Sequence, residues 1–174
     1  MKKNSPGRGE RGMIQFQRIG IRDLPILQAI YNYYCLHSTA TFKDAPITQQ
    51  EFEKDIDFRS PVYQTFLIRE NGNLLGYCGI RRYKPLKAYD RMAEVTIYLK
   101  PEYTGQGIGR VALRYLEDHA GRSGIRMFLA IITSENFSSV RLFEGMGYAQ
   151  CAHLKNVGEL SGRLLDVLYY QKDL

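Results

Sequence analysis

The sequence predicts a single mixed α/β domain whose first half is antiparallel and whose second half holds a strand–helix–strand crossover. Three features carry that prediction. Asn71-Gly72 separates two β-rich segments, the signature of a tight hairpin. Gly105-Gln-Gly-Ile-Gly109 stands between a strand pattern and a helix pattern. Met127–Ile132 is an unbroken apolar run, as expected of a strand buried on both faces.

The elements follow in order. Ile14–Ile19 alternates as a first strand does. Asp23 is placed to cap a helix with Leu24, Leu27, Ile30, Tyr31 and Tyr34 on one face. Thr48-Gln-Gln-Glu51 is a capping-box pattern opening a second helix through about Phe58, before Ser60-Pro61 ends it. Tyr63–Glu70 and Leu74–Arg82 form the hairpin, and a loop rich in Lys, Tyr and Pro leads to a strand at Met92–Leu99. The glycine turn opens a helix to about Ala120, with Ala112, Leu116 and Ala120 on one face. After the apolar run come a helix from about Phe137 to Gly145 and two strands, Tyr148–Val157 and Leu164–Gln171.

Length and composition fit one globular domain. Of 174 residues, 44% are hydrophobic and 24% charged, which excludes a disordered chain. Apolar runs are too short to span a bilayer, and the charged N-terminus lacks the hydrophobic segment of a secretory signal. Residues 1–12 read as a disordered basic tail and 13–174 as the domain. The net charge of +6 is half accounted for by that tail, which holds Lys2, Lys3, Arg8 and Arg11 against Glu10. The remainder, with tyrosines spread along the chain, gives only weak support for a basic stripe; a nucleic-acid binder stays as a third, weaker reading, and no nucleic-acid partner is expected. Cys35, Cys78 and Cys151 are odd in number and far apart, which suits a reducing cytoplasm and neither a disulfide framework nor a zinc site. His37, His119 and His153 lack metal-ligand spacing, so no metal is expected.

The chemistry concentrates at Tyr103-Thr-Gly-Gln-Gly-Ile-Gly-Arg-Val-Ala112. Three alternating glycines leave the backbone bare where a helix begins, so successive N–H groups can converge on a phosphate. A P-loop fails because Gly109 is followed by Arg110-Val111. Gly107-Ile-Gly109-Arg-Val-Ala112 satisfies the dinucleotide fingerprint, but the turn lies two-thirds along the chain with one crossover after it, too little to complete such a domain. A bare helix cap is the remaining alternative.

Residues 14–174 resemble the GNAT superfamily of acetyl-CoA-dependent N-acetyltransferases, and within it the phosphinothricin acetyltransferase-like branch. The superfamily mark is matched by Gly107-Ile-Gly109, and a second block by Asn136-Phe-Ser-Ser-Val-Arg-Leu-Phe-Glu-Gly-Met-Gly-Tyr148. Branch marks are Tyr31-Asn32, Ser38-Thr-Ala-Thr-Phe42 with Pro46, Ala88-Tyr-Asp90, Ala93-Glu-Val-Thr-Ile-Tyr98 and Asp166-Val-Leu-Tyr-Tyr-Gln171.

The resemblance implies a splayed mixed sheet of about six to seven strands flanked by about four helices. It implies acetyl transfer from acetyl-CoA to the primary amine of a small amino-acid-like acceptor, in a homodimer. The pyrophosphate would lie on Gly105, Gln106, Gly107, Ile108, Gly109 and Arg110. The pantetheine arm would pair with the strand edge at Ile97, Tyr98 and Leu99, where a free N–H could also hold the thioester oxyanion. Asn136 and Ser139 map to cofactor-contacting positions, although Asn136 equally suits a helix N-cap. Phe42, Tyr83, Lys84 and Tyr89 map to the acceptor site. Glu94 maps to the general base; strand parity turns it away from Val95, Ile97 and Leu99, and it would accept the amine proton through water. The other reading of Glu94 is an ordinary surface or ion-paired carboxylate.

The sequence departs from the branch at several positions. Thr104 replaces a Gln or Arg near the phosphates, and Phe143 replaces the Tyr that would protonate the leaving thiolate. Leu86 stands where the branch has an Arg, leaving Lys84 and Lys87 as the loop's cations, and Leu164-Leu165 replaces an aromatic and His/Leu pair. A bidentate anion partner is thus missing at residue 86, which predicts weak activity on phosphinothricin. These losses keep a second function open, a non-catalytic acyl-CoA-binding module. Tyr31, Tyr33 and Tyr34 read as helix packing and dimer surface, joined there by Tyr169-Tyr170, and His37 as structural or surface.

Overall fold

A computed structural model describes residues 12–56 and 59–174. The expected tail falls outside them apart from Gly12, as does the expected end of the second helix at Phe58. Seven strands and four helices follow the predicted order: β1 Ile14–Arg18, α1 Leu24–His37, α2 Gln49–Asp55, β2 Thr65–Glu70, β3 Asn73–Arg82, β4 Met92–Leu99, α3 Ile108–Arg122, β5 Met127–Thr133, α4 Phe137–Glu144, β6 Ala149–Leu160 and β7 Arg163–Asp173. They form one mixed sheet in the order β1-β2-β3-β4-β5-β7-β6, in which β4 and β5 are the parallel pair.

Local chemistry sets the helix ends. At α2 the capping box closes in both directions, Thr48 N–H to Glu51 Oε2 at 2.8 Å and Glu51 N–H to Thr48 Oγ1 at 3.3 Å. Asp23 occupies the N-cap position of α1, yet its carboxylate turns back to accept the Gly20 N–H at 2.8 Å. It thereby closes the short 3-10 turn Ile21–Asp23 instead of the helix.

The sheet carries a core on each face. Ala112, Leu113, Leu116 and Ala120 of α3 pack against Ile68, Cys78, Val95 and Phe128 on one. On the other, Leu24, Leu27 and Ile30 of α1 and Phe52 of α2 cover Leu67, Leu74 and Tyr77. An extra residue near Leu75 shifts the β2–β3 register between Ile68 and Arg69. That bulge reverses the parity of β3, so Tyr77, Gly79 and Arg81 face the α1/α2 side. Tyr170 is a correction to its expected surface role: it is 2% exposed, and its hydroxyl donates to Glu144 Oε1 at 2.9 Å.

Candidate active site

The site begins where β4 and β5 part. They pair over only three residues, Met92↔Met127, Ala93↔Phe128 and Glu94↔Leu129. Beyond Glu94, β4 stays with β3 as far as Gly76↔Leu99, while β5 stays with β7 as far as Thr133↔Val167. Among the described residues, the β5-facing edge of Val95–Leu99 has no strand partner. It borders a cavity of about 670 Å³.

Gly105, Gly107, Gly109 and Arg110 line this cavity together with Asn136, Ser139 and Arg141. Gly105 and Gly107 have φ of +71° and +82°, a left-handed backbone that glycine adopts without a Cβ clash. Gly107 is the N-cap of α3, so the helix's first N–H groups lack acceptors within it. A Cβ on Gly109 would stand 3.0 Å from Leu142 Cδ2, so glycine there lets α3 approach α4. Asn136 caps α4, its Oδ1 accepting the Ser139 N–H at 3.2 Å.

Glu94 lies where the strands divide, 9% exposed and on the α1/α2 face. Its cross-strand partner is Arg81, whose Nη2 donates to Glu94 Oε1 at 2.5 Å. The rings of Tyr31 and Tyr34 sit 5.4 and 5.5 Å from that of Tyr98, which stacks on Tyr77 at 5.3 Å. Burial, aided by Cys35 and Asp55, pushes the Tyr31 hydroxyl up to about 12, and burial likewise raises Tyr34. Both remain neutral donors near pH 7. Tyr34 uses its hydroxyl to bond Leu99 O at 2.5 Å, pinning the far end of β4 to α1. Thr39 and Thr133 join hydroxyls at 2.9 Å, tying the end of β5 to the segment after α1.

Residues 27–148 match the acetyltransferase (GNAT) family. The chain belongs to that family. A phosphinothricin N-acetyltransferase of Alcaligenes faecalis is 33% identical over 87% of this chain and 78% of its own. An L-methionine sulfoximine/L-methionine sulfone acetyltransferase of Salmonella typhimurium is 29% identical over 87% and 90%. The structure of a GNAT phosphinothricin acetyltransferase from Sinorhizobium meliloti, solved with acetyl-CoA, superposes with a TM-score of 0.83 at 27% identity, covering 92% of this chain and 88% of that one.

Of the GNAT site residues expected from the sequence, Phe42, Glu94, Ile97, Tyr98, Leu99, Gly105, Gly107, Gly109, Arg110, Asn136 and Ser139 line the one cavity. Gln106 does not; its Nε2 donates to Glu102 O at 2.8 Å. Ile108 is 4% exposed, and its side chain belongs to the core, leaving only its backbone to the turn. Tyr83, Lys84 and Tyr89 also stand outside the lining. They form a cluster of their own, with Lys84 Nζ 5.3 Å from the centre of each ring. Leu86 on the same loop is 58% exposed and outside the lining. The His37 ring lies 4.5 Å from that of Tyr33, tilted by 40°, and is outside the lining.

Sequence reasoning missed Arg81, Arg141 and Thr133, and took Tyr31 and Tyr34 for helix packing and dimer surface, whereas all five line the cavity. Arg141 was within reach, since it follows Ser139 on the helix that Asn136 caps. Arg81 was not, because the register of β3 against β4 has no local signal.

Proposed function

We propose that this acetyltransferase moves an acetyl group from acetyl-CoA to the primary amine of a small amino-acid-like acceptor. The observation that carries the reading is the splay of β4 from β5. It leaves the Val95–Leu99 backbone, the Gly105–Arg110 turn and the Glu94 carboxylate around one cavity. In this reading the glycine turn takes the pyrophosphate, helped by Arg110 and Arg141. The pantetheine arm runs along the open edge of β4 as an added strand.

The amine nitrogen attacks the thioester carbonyl carbon, the C–N bond forms and the C–S bond breaks. Glu94 takes one proton from the acceptor's ammonium group through water to free the lone pair. The second proton leaves the nitrogen to solvent once the C–N bond has formed, and a backbone N–H near Leu99 holds the oxyanion. Coenzyme A leaves as a thiolate and takes its proton from solvent, because Phe143, which lines the cavity, has none to give. Cys78 is no nucleophile for an acyl-enzyme: burial pushes its thiol well up. The working unit in this reading is a cytoplasmic homodimer. The exposed Tyr33 and Leu36 on α1 support the dimer, and three unpaired cysteines support the compartment.

Glu94→Gln tests the base. With acetyl-CoA and a panel of amines (phosphinothricin, methionine sulfoximine and sulfone, common amino acids, polyamines), thiol release should fall about 100- to 10,000-fold. Coenzyme A affinity should stay unchanged. A wild type that binds coenzyme A but turns over no amine would favour the binding module instead.

A further inference from the structure

Arg81 sits beside the proposed base on the floor of the cleft, and the transfer chemistry above gives it no part. It is directly opposite Glu94 in the β3–β4 register, and both project on the face that carries Tyr77, Gly79, Thr96 and Tyr98. The Glu94 side chain is 12% exposed and that of Arg81 46%. One guanidinium nitrogen, Nη2, is committed to Glu94, and Arg81 is among the residues lining the cavity. A guanidinium has five N–H donors in a rigid fork, enough to serve two carboxylates at once.

The other cations of the region are occupied or remote. Arg82 pairs with Asp90 at 2.8 Å, and Lys84 is held against Tyr83 and Tyr89 outside the lining. Among the described residues, the lysines and arginines lining the cavity are Arg81, Arg110 and Arg141. The last two belong to the glycine-turn end. The acceptor end thus sets Arg81 against two carboxylates, Glu94 and Asp55. Without Arg81 it would attract simple ammonium groups and repel any acceptor with a carboxylate.

We propose that Arg81 is the specificity-determining residue for the acceptor, its guanidinium bridging Glu94 and the α-carboxylate of an α-amino acid. The proposal rests on the acetyltransferase reading above. It supplies, from the strand, the fork that Leu86 does not supply from the loop. In an α-amino acid the amine and the carboxylate share one carbon. A carboxylate clamped on the remaining donors of Arg81 therefore sets the amine beside Glu94, whereas an anion at the far end of the acceptor would not.

The test crosses a protein change with a substrate change. Wild type, Arg81→Gln and Arg81→Lys are each assayed by thiol release with L-methionine sulfone and with 3-(methylsulfonyl)propan-1-amine, the same molecule without its carboxylate. Wild type should favour the amino acid by about 10- to 100-fold in kcat/KM, mainly through KM. Arg81→Gln should bring that ratio to within about threefold of unity, and Arg81→Lys should keep part of it, since an ammonium supplies charge without the fork. Where Arg81→Gln does not fold, Arg81→Lys and the carboxamide of methionine sulfone on wild type make the same comparison.

A merely structural Arg81 would lower both acceptors by one factor and leave the ratio intact, which overturns the proposal. A wild type with no preference for the carboxylate, or one that acetylates other amines but neither of these, overturns it too and leaves acetyl transfer standing. A wild type silent on every amine removes the parent reading and the proposal with it.

Discussion

Gly105→Ala separates a phosphate cradle from a plain helix cap. Gly105 has φ +71°, and a Cβ built on it meets no atom within 4 Å, so the folded protein itself has room for the methyl. The stability cost is then the left-handed backbone alone, about 1 kcal/mol, or a Tm lower by about 2–4 °C in a chain of this size. Gly124, after α3 and outside the cavity, is a matched control: φ +86° and nothing within 4 Å of its Cβ. Gly124→Ala should show the same loss of Tm. The two should part in titration calorimetry with coenzyme A. On a cavity-lining turn the methyl stands where phosphate oxygens approach the backbone donors, and losing one charge-assisted hydrogen bond weakens binding about 10- to 100-fold. Gly124→Ala should bind as wild type does. Equal affinities for the two variants would show that the turn only caps a helix, and would refute the cradle.

Two further predictions concern stability. Leu116 is fully buried between α3 and the sheet, so Leu116→Ala should lower unfolding free energy by about 3 kcal/mol in urea; a loss under about 1 kcal/mol would show that this face can collapse around the void. The Asp166 carboxyl is held below its ordinary range by the Asn156 N–H at 2.8 Å and by His153 at 2.7 Å. A group with a lowered folded-state value stabilises above its unfolded value, about 3.9, and loses that effect as pH falls through the folded one. The Tm gap between wild type and Asp166→Asn should therefore be full above the unfolded value of about 3.9 and shrink as pH falls below it. A gap constant through that range would remove the carboxylate from the account.

Features that rest on neighbours along the chain were legible in the residues alone. Thr48 and Glu51 close their capping box within four residues, Asn71-Gly72 turns a hairpin at φ +49° and +80°, and the spacing of Ala112, Leu116 and Ala120 buries one face of α3. The glycine turn is equally local, because a positive φ at 105 and 107 needs only those two residues to be glycine. Residues joined across strands were a different matter. Glu94 was legible as a carboxylate inside a strand, but its partner Arg81 depended on a β3–β4 register that follows a nine-residue connection and a bulge near Leu75. Periodicity cannot count across either. Parity placed Ile97 and Leu99 on one face of β4 and Tyr98 on the other. That the strand also frees an edge was decided by where β5 leaves it, after Glu94↔Leu129, to follow β7. The loop's packing was equally illegible: Tyr83, Lys84 and Tyr89 meet one another through ring and ammonium contacts outside the cavity lining. The sequence supplied the cations of this region, but only the packed sheet decided that Arg81 is the one facing Glu94.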